Sequence, residues 1–444
     1  MRPILPRIAA RAGFAAALSL GAAAPALADG FKLSEYSSRD FGMANSGYAA
    51  LATDPSTIWS NPAGLSRLEG WQANLGAYYI YGRGEFENEG STNAFGAPLS
   101  GSEGDDFFTD EVIPNLYISA PVSDSITLGL GVNAPFGLST EYEPDSLTRY
   151  QAVKSSLRVV DINPAVAFEL NDQLSFGFGV SAQYADATLA NAVNFTAVCL
   201  SQAPAPACAQ AGLAPQTSEG FVRVKGDDWS YGWNAGVLFE PEEGTRVGLS
   251  YRSAVNHDLD GDAEFGTPAG AAIFAPVFTD TPGSAPLDLP SEAAVSLRHE
   301  VNGAFAWNAT VRATFWDLDA LVVNFENPAQ PSSREVLGYH ETIKASVGFE
   351  YAPRPDWVFR AGVAFDESPT PPDERTPRVP DADRVIAALG ASWNPGNAFS
   401  VDLGYQHLFF DDAPIDATGS GGDRLVGEFD NTADLFGVGL TWRR

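Results

Sequence analysis

The chain is short of positive charge, of sulfur and of long apolar runs. Only 26 Lys and Arg stand against 56 Asp and Glu in 444 residues, a formal charge of −30. A nucleic-acid binder needs a basic face to displace counterions from phosphates, so this balance excludes that class. The two cysteines, Cys199 and Cys208, and the four scattered histidines offer no metal-ligand spacing, and no metal or other cofactor is expected. Beyond residue 28 no stretch is apolar for long enough to cross a bilayer as a helix. Charged residues make up 18% of the chain and hydrophobic ones 45%, which a disordered acidic chain would not show.

What is present begins with a leader. Arg2, Arg7 and Arg11 precede the apolar run Gly13–Leu20, and Ala26-Leu27-Ala28 supplies small residues at a cleavage site. Residues 1–28 therefore read as a signal peptide, and the mature chain is expected to be exported. An oxidising compartment would let Cys199 and Cys208 close a small disulfide loop, two free thiols being the alternative.

Residues 70–444 alternate. Trp71, Ala73, Leu75, Ala77, Tyr79 and Tyr81 share one parity, as do Phe399, Val401, Leu403 and Tyr405, and again Phe436, Val438, Leu440 and Trp442. A period of two is the mark of a strand with one apolar and one polar face. About 14 such segments follow one another, many longer than the ~9–11 residues that cross a bilayer in a tilted strand. An even number of long antiparallel strands suits a closed transmembrane β-barrel, which leaves no backbone edge unpaired in lipid. A soluble sandwich would need strands about half as long. Short turns such as Val122-Ser123-Asp124 and Asn171-Asp172-Gln173 alternate with long connections, the pattern of an outer-membrane barrel with its long loops outside the cell.

By parity, Arg252, Arg312, Lys344, Arg360 and Arg384 face inward, together with Glu350, Asp366 and Asp402. Most of these charges are expected to brace the interior. Lys344 and Arg384 adjoin long loops, so both are also candidates to meet an entering anion. Residues 29–69 are too irregular for barrel wall and too many for a bare linker. A barrel of 14 strands leaves a channel unless something fills it, so this segment is expected inside as a hatch.

The chain resembles the FadL/TodX-type outer-membrane transporters. The resemblance is carried by Gly30-Phe31, by Asn61-Pro62-Ala63, by Pro114-Asn115-Leu116-Tyr117 and by Pro135-Phe136-Gly137-Leu138-Ser139-Thr140-Glu141. Trp233-Asn234-Ala235-Gly236, Tyr251-Arg252-Ser253, Asp366-Glu367-Ser368-Pro369 and the run from Arg375 to Arg384 extend it over the whole mature chain. It implies a monomeric 14-stranded barrel with an N-terminal hatch in the outer membrane of a Gram-negative bacterium, surrounded by lipid and lipopolysaccharide. It also implies passive uptake of hydrophobic small molecules, either long-chain fatty acids or aromatic and aliphatic hydrocarbons. Phe31 would touch ligand in a pocket beside the hatch, with Lys344 or Arg384 pairing its carboxylate. Asn61, Pro62 and Ala63 would set the hatch conformation. Ala134, Pro135, Phe136 and Gly137 would kink the third strand and open the wall sideways. Ile273, Phe274, Val277 and Phe278 would form an outer low-affinity groove.

Two rivals differ in kind. A general diffusion porin would lack the hatch. A lipid hydrolase would need a Ser–His–carboxylate arrangement, and with no nucleophile elbow in the sequence no enzyme is expected. Acids crowd the expected outer loops, among them Glu103, Asp110, Glu111, Asp411, Asp412, Asp416 and Asp423. Such a rim repels fatty-acid anions and suits an uncharged hydrocarbon at least as well.

Overall fold

A computed structural model describes residues 29–444 apart from 105, 214–217 and 397. The expected signal peptide, 1–28, lies outside the described residues. The chain forms one closed barrel of fourteen strands. The first six are Gln72–Asn88, Glu111–Ser123, Ile126–Glu141, Lys154–Asn171, Leu174–Asn194 and Glu219–Glu242. The next four each run in two pieces. These are Thr245–Arg252 with Val255–Gly266, Thr281–Leu289 with Ser291–Asn302, Phe305–Phe315 with Ala320–Phe325, and Ser333–Val336 with Thr342–Arg354. Trp357–Asp366, Arg384–Gly396, Phe399–Phe410 with Ala413–Thr418, and Arg424–Arg443 complete the wall. All neighbours pair antiparallel, and the ring closes where Gln72 meets Arg443.

The alternation read from the sequence is the cause of this wall. Leu75, Leu389, Leu403 and Val438 are exposed on the outside, where lipid, not water, is the solvent. Arg252, Arg312, Lys344, Arg360, Arg384, Glu350, Asp366 and Asp402 are all buried on the inner face. Strand number and parity thus follow the sequence, but four strands expected to be continuous are broken in the outer half. The stretch 411–423, expected to be loop, carries a strand piece, Ala413–Thr418, paired with the last strand.

The hatch, from Asp29 to Leu68, consists of short turns inside the barrel. Its helical pieces are Ser38–Phe41, Thr57–Ser60 and the 3-10 turn Pro62–Arg67. Phe41, Met43, Ile58 and Leu65 are fully buried within the lumen. The wall makes room with glycine. A Cβ at Gly177 would run into the backbone of Pro62 and Ala63, and one at Gly236 into the Asn61 side chain.

Outside, the loop after the fifth strand folds into two short helices, Phe195–Leu200 and Ala205–Gln210, joined by the Cys199–Cys208 disulfide with Cα atoms 5.9 Å apart. The loop after the seventh strand packs onto it. Phe195 lies 6.2 Å from Phe274 and 4.9 Å from Phe278, ring centre to ring centre.

Candidate functional site

The hatch is fastened to the wall by charge. Arg39 pairs with Asp402 at 3.0 Å and donates to Ser400 Oγ at 2.7 Å. Higher up, Lys32 pairs with Glu292 and, at 3.2 Å, with Asp29, while Arg312 reaches Glu292 at 3.4 Å. Buried ions of this kind persist only when paired, so each pair dictates where the hatch can sit.

Asn61 ties the hatch base to the wall through its side chain. Its Nδ2 donates to the carbonyls of Ala49 at 2.7 Å and Val237 at 3.1 Å, and its Oδ1 accepts from Ala63 N at 3.1 Å. The last bond caps the 3-10 turn, and Pro62 at the first position sacrifices no needed donor. Asn61, Pro62 and Ala63 therefore join hatch to wall at one point.

Above the hatch, the lumen widens into an apolar cavity enclosing about 850 Å³ of unfilled space, its open mouth included. Phe31 forms part of its floor, beside Leu138, Leu157, Leu259, Leu287 and Tyr339. The Phe31 ring meets Trp316 edge-on at 5.0 Å, and Trp316 meets Tyr339 at 5.3 Å. One guanidinium lies in the lining. Arg378 pairs with Glu335 at 2.8 Å and donates to Ser155 Oγ and Asn191 Oδ1, each at 3.3 Å.

The third strand breaks beside this cavity. Its ladder to the second strand stops at Val132, and its register to the fourth shifts between Asn133 and Phe136. Pro135 has no N–H for a ladder, and Ala134, Phe136 and Gly137 flank it within the shifted stretch. The hatch takes the vacant place. Leu33 N donates to Pro135 O at 2.9 Å, and Gly137 N donates to Phe31 O at 2.8 Å. Residue 31 thus touches the cavity with its ring and the broken strand with its backbone.

The segment is held from above as well. Gly30 N donates to Asp381 Oδ2 at 3.1 Å, and Ser368 Oγ donates to the same oxygen at 2.7 Å. Burial pushes the Asp381 carboxyl, on an outer loop, from the usual 3.8 up to about 7.

The other residues singled out in the sequence lie elsewhere. Lys344 and Arg384 do not line the cavity. Both are held by Asp366 Oδ2 between them, at 3.1 and 2.6 Å. Of the expected outer groove, Phe274 is buried and Phe278 half-buried in the cluster around the disulfide, whereas Ile273 is exposed. The residues that sequence reasoning missed are Arg378, Trp316 and Tyr339. Arg378 stands within the Arg375–Arg384 run, but a loop has no parity to say where a side chain points.

A lipid-facing closed barrel with a plug and an apolar cavity above it defines an outer-membrane channel for hydrophobic molecules. Residues 19–443 match the family described as outer membrane protein transport protein (OMPP1/FadL/TodX), and the chain belongs to it. It is 28% identical over 430 residues to a long-chain fatty acid transport protein of Escherichia coli O6:H1, covering 93% of this chain and 94% of that one. It is 30% identical over 408 residues to outer membrane protein P1 of Haemophilus influenzae, covering 87% of each. The fold matches a FadL homologue from Pseudomonas aeruginosa with a TM-score of 0.87, at 22% identity over 93% of this chain and 99% of the other. The toluene transporter TodX of P. putida matches with a TM-score of 0.70, at 17% identity over the same shares.

Proposed function

We propose that the protein takes up long-chain fatty acids passively, holds them in the cavity above the hatch and releases them sideways at the third-strand break. The observation that carries this reading is the double engagement of Phe31, whose ring floors the cavity while its carbonyl bonds to Gly137. A ligand that displaces the ring pulls on the backbone that fills the break. One small movement then empties the cavity and opens the wall together. Each methylene gains roughly 0.8 kcal/mol in an apolar environment over water, so exit into lipid is favoured over exit into the periplasm. In this reading Arg378, rather than Lys344 or Arg384, is the cation a carboxylate meets first. The barrel acts as a monomer among lipid and lipopolysaccharide.

Lys32 and Phe136 are bridge partners, so a Lys32→Cys/Phe136→Cys pair can lock the segment to the strand. Oxidised, it should stop fatty-acid uptake into cells, and reductant should restore uptake while leaving the unaltered protein unaffected. Undiminished uptake in the oxidised form would sink the coupling.

A second reading, uptake of uncharged hydrocarbons by the same route, is favoured by one observation: Arg378 is already engaged by Glu335. Arg378→Gln separates the two. It should weaken fatty-acid uptake and spare alkane or toluene uptake if a carboxylate is the natural headgroup.

A further inference from the structure

The connection between the eleventh and twelfth strands, residues 367–383, folds inward as a strap, and Arg375–Ala382 are all buried. Its carbonyls are received across the lumen. Pro377 O accepts from the Tyr142 hydroxyl at 2.7 Å, Arg378 O from Thr140 Oγ1 at 3.2 Å and Pro380 O from Asn431 Nδ2 at 2.7 Å. Arg378 and Val379 of the strap line the cavity.

A charged pair ties this strap to the tenth strand. Glu335, on the outer piece Ser333–Val336, receives Arg378 Nε at 2.8 Å through Oε2. It sits opposite Leu321 and two residues before Leu337, both of which line the cavity. The engagement is partial. A guanidinium takes a carboxylate best through two parallel bonds, and Glu335, tethered to its strand, accepts one. The Nη atoms have neutral acceptors, Ser155 Oγ and Asn191 Oδ1, each at 3.3 Å. Glu335 is 27% exposed, so its carboxylate can turn into water without being stranded as a buried charge. Asp366 shows the opposite design. It takes Arg384 through Nε at 3.1 Å and Nη2 at 2.6 Å, holds Lys344 at 3.1 Å and is buried with both. Displacing it would strand two cations.

We propose that Glu335 holds the place of the ligand's own carboxylate, occupying Arg378 in the empty cavity and giving way to an arriving fatty acid. One carboxylate replaces another, so the Arg378 cation is paired before and after. The exchange also unties the strap from the tenth strand, so loading the cavity loosens its roof. An uncharged hydrocarbon leaves the pair intact. The inference rests on the fatty-acid reading and names the residue that sets how tightly the headgroup is held.

The test titrates the full chain in detergent with a brominated long-chain fatty acid and with the brominated alcohol of equal length, read by tryptophan quenching. Glu335→Gln keeps the side chain's shape and removes the competing charge. It should tighten the acid roughly tenfold and leave the alcohol unchanged. Glu335→Ala should act in the same direction, and in an Arg378→Gln background Glu335→Gln should lose most of its effect on the acid. A purely structural tie would instead shift acid and alcohol alike. That result, or acid affinity unchanged or weakened in both folded Glu335 variants, overturns the exchange. If Arg378→Gln alone still weakens the acid, the fatty-acid reading survives that failure. If Arg378→Gln alone changes neither ligand, the fatty-acid reading falls and the exchange with it.

Discussion

In the periplasmic half of the lumen the hatch presses ion pairs and backbone against glycines of the wall, with Arg39 on Asp402 and Asn61 against Gly236. In the outer half the wall is lined with leucines around unfilled space, and the Asp29–Leu33 stretch of the hatch reaches it. Polar contacts are directional and cost several kcal/mol when left half-made, so the lower half has one arrangement. Apolar contacts are non-directional, so the upper half can exchange a side chain for a ligand. The fold thus fixes the plug along its base and, at the upper end, holds the backbone through Gly30 and Lys32 while the Phe31 ring sits among apolar contacts that a ligand can replace.

Breaking the fixed end should have the largest effect. Arg39→Ala leaves Asp402 buried without its cation and should cost roughly 3–5 kcal/mol. Urea unfolding in detergent would measure it, and the loosened hatch should admit hydrophilic antibiotics to cells. Asn61→Ala removes two donated bonds and a cap, a loss of roughly 2–3 kcal/mol, whereas Asn61→Ser should retain the cap and lose the donated bonds. If both substitutions destabilise equally, the cap contributes little.

At the displaceable end, Phe31→Ala removes a buried ring and should cost roughly 1.5–3 kcal/mol of stability, less than Arg39→Ala. It also removes the ring at the cavity floor, so ligand affinity should fall by about tenfold in tryptophan-quenching titrations. A large stability loss with unchanged affinity would reverse the comparison. The smallest effect is one of pH. Because burial lifts the Asp381 carboxyl to about 7, the folded chain retains a proton that the unfolded chain releases near 3.8. Stability from this group is complete below about 3.8 and is lost as pH rises through about 7. Asp381→Asn should flatten that part of the stability profile, read as melting temperature against pH.

The wall was legible in the sequence because lipid outside and charge inside give every strand two unlike faces. Leu403 beside Asp402, and Phe365 beside Asp366, tell which way each points. Parity says which face a residue is on and nothing about its partner. Lys344 and Arg384 were correctly turned inward, yet Asp366 between them occupies both. The breaks at 252–255, 289–291, 315–320 and 336–342 were not legible, since the alternation is apolar enough to run through them and only the wall's register shows where pairing stops. The third-strand break could be read, because Pro135 and Gly137 fall together inside one strand.

The forty residues from Asp29 to Leu68 also bear on how the barrel is assembled. Asn115 of the second strand donates to Tyr36 O, Asn234 of the sixth to Ile58 O, and Gln406 of the thirteenth to Phe41 O, while Ser38 meets Tyr78 of the first. A segment made early in synthesis must therefore wait for strands made last. Ring closure and plugging become a single cooperative event, and a chain cut short before the final strands would present the cell with an unsatisfied plug rather than a leaky pore.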